Sequence, residues 1–217
     1  MAVKPIIFNT EMVRAILSGQ KSCTRRTIKL PDGMSGRSVG QCGDENHPLG
    51  FMYPCGIKRA PYQRGDVLYV RETWCKYGKL DDCNQAVIEG TEKYYYRADG
   101  ENPTPGDCFL EKGVLREYPV WHPAIHMPRI AARIWLEVTD GRAERLQEIT
   151  DDSAKKEGAN WKNGNNVGWE EKIKRTAIDR FKEIWNSTVK KQDLEKYGWD
   201  ANPWVWVIEF ERREKSI

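Results

Sequence analysis

Eight consecutive residues, Gly19-Gln20-Lys21-Ser22-Cys23-Thr24-Arg25-Arg26, bring an amine, a hydroxyl and two guanidinium groups together in the sequence. Read as G-x-K-x-x-T-x-R, the stretch suits two kinds of chemistry. Lysine and arginine grasp phosphates, which would make it a nucleic-acid contact loop. An amine near a threonine hydroxyl would make it a small catalytic centre. A plainer third reading is a solvated helix end, where basic side chains complement the helix dipole.

Other groups compete for attention. Alternation over Val67 to Trp74 puts Glu72 on one strand face with Leu68, Val70 and Trp74. A carboxylate there must be paired or protonated, and pairing with a neighbouring arginine is preferred to catalysis. His122 and His126 are four apart in a run dense in aromatic residues. Pro123 and Pro128 argue against a helix that would aim both at a metal, so they are read with Trp121 as a packed loop or rim. The six cysteines (23, 42, 55, 75, 83 and 108) form no C-x-x-C pair and are read as reduced thiols. A zinc site from Cys42, His47, Cys55 and a fourth ligand is a minor alternative because the spacing is loose, and neither metal nor cofactor is expected.

Positioning these groups requires a frame. Lys4 to Phe8 reads as a strand leading to a helix capped by Asn9 or Thr10, with Met12, Ile16 and Leu17 on its buried face. Gly19 closes that helix as a left-handed residue, so Lys21 and Thr24 leave a fixed end in what reads as a loop. Two segments, about 27–64 and 75–128, read as long insertions, the first irregular and rich in proline. Within the second, 93–97 reads as a strand and 102–106 as a turn. Ile130 to Val138 reads as a strand, with a turn or bulge at Asp140-Gly141 and a continuation over 142–146. Thr150 caps a short helix closed by Gly158, leaving Glu157 exposed at its end unless the helix docks against the core. A helix over 169–187 buries Ile173, Ala177, Phe181, Ile184 and Trp185, and Trp204 to Phe210 forms a closing strand.

Composition bounds the rest. With 39% hydrophobic and 31% charged residues, the 217-residue chain should fold around a core. The net charge of +3 gives no global basic field, so any polyanion site must be local. No stretch approaches the roughly 18 apolar residues of a membrane span, and the early residues carry Lys4, Glu11 and Arg14. A cytoplasmic protein is expected. Its oligomeric state is left open.

The motif, the Gly65-Asp66 turn into a strand, the Ile149–Gly158 helix, the later helix and the closing strand together resemble the ASCH domain of the PUA-like superfamily. The V-R-E-T-W and H-M-P-R runs are similar to those of phage and prophage members. The resemblance implies one α+β domain over residues 1–217. Its core would be a small, partly open mixed β-barrel flanked by helices, with a cleft at the motif and the two insertions outside it. It implies either RNA binding or hydrolysis of N4-acylcytidine by a Lys, a Thr and a Glu. Lys21 and Thr24 fall on the motif positions, Glu157 on the late-helix position, and Glu72 is the runner-up.

In that scheme Lys21 activates Thr24 and Glu157 relays a proton to the leaving amine. Arg26 binds phosphate, polarises the carbonyl or forms an ion pair, for instance with Glu72. In the binding reading Lys21, Arg25, Arg26 and Lys29 hold phosphates of a nucleoside or single-stranded RNA. Trp121 or the Tyr94–Tyr96 cluster then stacks on bases. An accessory or assembly role through the insertions is the third expectation.

Overall fold

Apolar residues at alternate positions of four strands, together with the motif stretch itself, build one sheet. The computed structural model describes residues 1–29, 40–42, 50–53, 56–78, 90, 92–100, 108–111, 114–116, 119–160 and 176–214. In chain order the elements are β1 (Val3–Ile7), α1 (Thr10–Leu17), β2 (Cys23–Thr27), β3 (Gly40–Cys42), β4 (Gly50–Tyr53), β5 (Gly56–Arg59), β6 (Val67–Arg71) and β7 (Trp74–Gly78). Then follow β8 (Lys93–Tyr96), β9 (Cys108–Glu111), β10 (Val114–Arg116), β11 (Trp135–Arg145), α2 (Asp151–Lys156), α3 (Ala177–Thr188), α4 (Leu194–Tyr197) and β12 (Trp204–Arg213).

The architecture is α+β. The main sheet has the order β1-β6-β11-β12-β2, parallel only between β1 and β6. β12 is buried on both faces, which accounts for its nearly continuous apolar sequence. Trp206, Ile208 and Phe210 join Ile6, Phe8, Leu68, Leu136 and the α1 residues Val13 and Ile16 in one core. Val205 and Val207 point the other way, into a second core with Ala154 of α2 and Phe181 and Trp185 of α3.

The edge strands β1 and β2 do not pair with each other in a ladder. Arg26 of β2 nevertheless donates to the Ile7 carbonyl of β1 at 2.8 Å, so the sheet curves until one side chain spans its open seam. Tyr62 Oη donates to the Pro5 carbonyl at 2.9 Å, and Pro5 has no amide to offer. The outer edge of β1 is thereby blunted against pairing with another chain.

Several expectations are corrected. The motif is not a loop: Cys23 to Thr27 is a strand, because pairing with the apolar β12 overrides its polar composition. The segment 27–64 is not simply irregular, since β3, β4 and β5 form a three-stranded sheet there. The segment 75–128 carries most of a four-stranded sheet, β10-β9-β7-β8, whose expected strand at 93–97 is present as β8. The strand from Val67 stops at Arg71, and Trp74 opens β7 in the other sheet.

Ile130 lies in a 3-10 turn and the long strand begins at Trp135, where pairing with β6 and β12 starts. Its expected irregularity falls between Val138 and Asp140, and the sheet continues beyond it. Residues 102–106, His47, Cys55 and 169–175 lie outside the described residues. Among the described residues no helix is long and apolar enough to cross a membrane.

Candidate functional site

The end of α1 fixes where the motif begins. Asn9 caps the helix, its side chain accepting from the Met12 amide at 2.9 Å. Gly19 takes φ +74°, as a left-handed C′ residue should. The amides of Gln20 and Lys21 both return to the Ala15 carbonyl, at 2.8 and 3.0 Å. Lys21 therefore leaves a rigid corner.

α2 meets it from the other side. Thr150 accepts from the Ser153 amide at 3.2 Å, and Ile149 and Ala154 dock the helix on the second core. The Ser22 amide donates to the Lys156 carbonyl, and Lys21 and Glu157 face each other in an isolated antiparallel bridge. Gly158, at φ +83°, permits this approach: a Cβ there would lie 3.0 Å from that of Ala15 and 3.6 Å from that of Lys21.

Two elements far apart in sequence thus bring their charges together. Lys21 Nζ lies 2.6 Å from Glu157 Oε2 and donates to the Glu157 carbonyl at 3.0 Å. The side chains are 1% and 6% exposed, so Glu157 is buried, the outcome expected only if its helix docks against the core. The reason is docking of the α2 end, which no local pattern encodes. Arg25 donates to Glu157 Oε1 at 3.1 Å, to Glu144 Oε1 at 2.5 Å and to Ser153 Oγ at 2.9 Å, with its guanidinium 5.7 Å from the Phe181 ring.

Arg142 extends the chain of alternating charge, reaching Glu144 at 3.0 Å and Glu209 at 2.7 Å. Hydrogen bonds to Arg142 hold Glu209 below its ordinary value. Such a network persists because every buried charge is met by another. Burial, reinforced by the Glu157 charge, pushes the Cys23 thiol up to about 12, leaving it unreactive.

The opposite face of β2 carries Thr24 and Arg26. Thr24 is directly across from Ile208, an inner-core residue, and is itself buried. The Phe8 ring at this face is flanked by Lys21 Nζ at 5.7 Å and by Arg26 Cζ at 5.4 Å. Burial lowers the Arg26 guanidinium from its ordinary value, partly offset by Tyr62 and Glu157. A shallow cleft of about 200 Å³ opens beside Lys21, with Gly19 and Ser22 on its wall and Ile16, Leu136 and Phe210 as its apolar floor.

Lys21, Glu157, Arg25 and, through Phe8, Arg26 therefore converge, with Thr24 on the inner face of the same strand. Glu72 and Trp121 do not join them. Glu72 accepts from Arg133 Nε and Nη2, at 3.0 and 3.1 Å, and Arg133 also binds Asp99. The expected arginine pairing of Glu72 is present, but its partner is Arg133 and not Arg26. Trp121 lies under Arg97 at 5.1 Å. Tyr94 and Tyr95 pack on Trp74 and Tyr77, and Tyr96 Oη donates to the Ala131 carbonyl. Arg25 is enclosed and its charge spent within the fold, which removes it from phosphate contact.

Sequence reasoning missed Glu144, Arg142, Ser153 and Phe8. Arg142 and Glu144 carried one usable signal: two residues apart on a strand, they share a face. His122 packs on Trp74 with the rings tilted and their centroids 4.8 Å apart, and among the described residues no group of three or more His, Cys, Asp or Glu could hold a metal. No protein-family model matches the chain, nor does any curated protein or solved structure.

Proposed function

We propose that the chain is a nucleoside-directed amidohydrolase of the ASCH kind, its curved sheet serving as a PUA-like barrel. One observation carries this reading: Lys21, paired at 2.6 Å with buried Glu157, lines a cleft and lies three residues before Thr24, which is itself buried beside the inner core. In the reaction Thr24 Oγ1 attacks the acyl carbonyl carbon of an N4-acylcytidine, and its proton enters the Lys21–Glu157 pair. The C–N4 bond breaks as that proton passes to N4, releasing cytidine and leaving an acyl ester on Thr24. Water then adds to the ester carbonyl, and the carboxylic acid departs as the Thr24 hydroxyl is restored. Arg25 positions Glu157 by holding its second oxygen.

RNA binding through the motif is less well supported, because Arg25 is consumed by Glu144 and Glu157. The test is release of cytidine from N4-acetylcytidine by the wild type, Lys21→Ala and Thr24→Ala. Turnover by the wild type and loss of at least about a hundredfold in each variant is expected. No wild-type turnover, with single-stranded RNA bound in a salt-sensitive way, would replace hydrolysis by binding.

A further inference from the structure

The alternation of β12 has a consequence at its far end. Trp206, Ile208 and Phe210 face the inner core, and the period of two puts Arg212 on that same face. Its register partner is Leu136, another inner-core residue, so Arg212 stands at the rim of the inner core. It lines the Lys21 cleft and is exposed. Glu211 also lines the cleft, but alternation puts it on the outer face, opposite Glu137 in register and flanked by Arg213, which binds Glu137 at 3.2 Å.

The two cations of the cleft therefore differ. Lys21 is neutralised by Glu157, whereas no described residue forms an ion pair with Arg212. The floor between them is apolar. A space of about 200 Å³ lies below the roughly 300–1,000 Å³ of drug-sized pockets, so it suits a small acyl group or one ring with the remainder outside.

We infer that Arg212 is a specificity residue and that the preferred ligand carries an anionic group, a phosphate or a carboxylate, at a position reaching the cleft mouth. This rests on the amidohydrolase reading for the class of substrate, but not for the anion. The shared chemistry is a planar guanidinium meeting two oxygens. A phosphate would come from the sugar end of an acylated nucleotide, and a carboxylate from the far end of a dicarboxylic acyl group.

Binding separates the inference from catalysis. Calorimetry on the Thr24→Ala protein would compare N4-acetylcytidine, its 5′-monophosphate and N4-succinylcytidine. One of the two anionic ligands should bind about tenfold more tightly than the neutral one. That advantage should vanish in the Thr24→Ala/Arg212→Ala protein and return in part with Arg212→Lys. A monophosphate advantage identifies a nucleotide substrate, and a succinyl advantage an acidic acyl group. Equal binding of all three ligands, binding of none, or a preference that survives Arg212→Ala would overturn the inference. A preference for the anion without wild-type turnover would keep the anion site and remove hydrolysis.

Discussion

Two buried glutamates, Glu72 and Glu157, answer to arginines in opposite ways. Glu72 is 1% exposed and, among the described residues, shares its charge with a single cation, Arg133, which also reaches out to Asp99. Its amide meets the Met127 sulfur, and burial, the largest influence, raises it above the ordinary carboxylate value against the pull of Arg133. It ties the end of β6 to the turns that precede β11. Glu157 is divided between two cations: Arg25 holds one oxygen, and Lys21, which borders the cleft, holds the other. Burial of a carboxylate is common to both. What distinguishes the candidate site is a buried partner, Lys21, that lines a cleft, whereas Arg133 is half-buried at the surface.

The comparison breaks most sharply at Glu157. Glu157→Leu leaves Lys21 and Arg25 buried with one anion fewer, and should cost about 3–5 kcal/mol of stability at pH 7 by urea unfolding. A cost below about 1 kcal/mol would mean that the pair is not desolvated as described.

Arg133→Met sharpens the other side. It should cost about 3 kcal/mol at neutral pH, because Glu72 loses the only cation that binds it among the described residues. Glu72 is already raised in the folded state and the variant raises it further, so the folded protein holds the proton more tightly than the unfolded chain. Stability must then fall as pH rises from about 4.5, the ordinary value, through the folded one. The deficit of the variant should shrink toward pH 4.5. Equal deficits at pH 4.5 and 7.5, read from urea midpoints, would refute the buried-carboxylate account.

The smallest effect concerns how Glu157 is presented. Gly158→Ala should cost about 1–2 kcal/mol, since its left-handed backbone tolerates no Cβ without strain and Ala15 stands 3.0 Å away. Lys21 Cβ is the next neighbour, so N4-acetylcytidine turnover should fall in the same variant. Unchanged melting and turnover would show that the α1–α2 contact yields freely.

Parts of this arrangement are legible in single stretches of sequence. The caps at Asn9 and Thr150 and the left-handed glycines at 19 and 158 follow from local backbone chemistry, which needs only neighbours within a turn. The inner and outer faces of β12 follow from alternation, and the α3 stripe from helical spacing. β2 was not legible. C-T-R-R-T has little apolar content, and it is a strand because β12 offers it an unpaired edge. Apart from β8, which was expected, the strands described within 27–64 and 75–128 escaped notice for the same reason, being short and held by partners rather than by pattern.

The sequence by itself determined which groups were available: an amine and a hydroxyl three residues apart after a capped helix, and a glutamate at the end of another. Helix ends, turns and strand faces are set by forces that act over a few residues. Only the tertiary structure decided that Lys21 meets Glu157 across 136 positions, that Arg25 turns inward to Glu144, and that Arg212 is left facing the cleft. Those outcomes depend on which apolar surfaces dock and which charges must then be paired away from water, and that is settled by the whole chain at once.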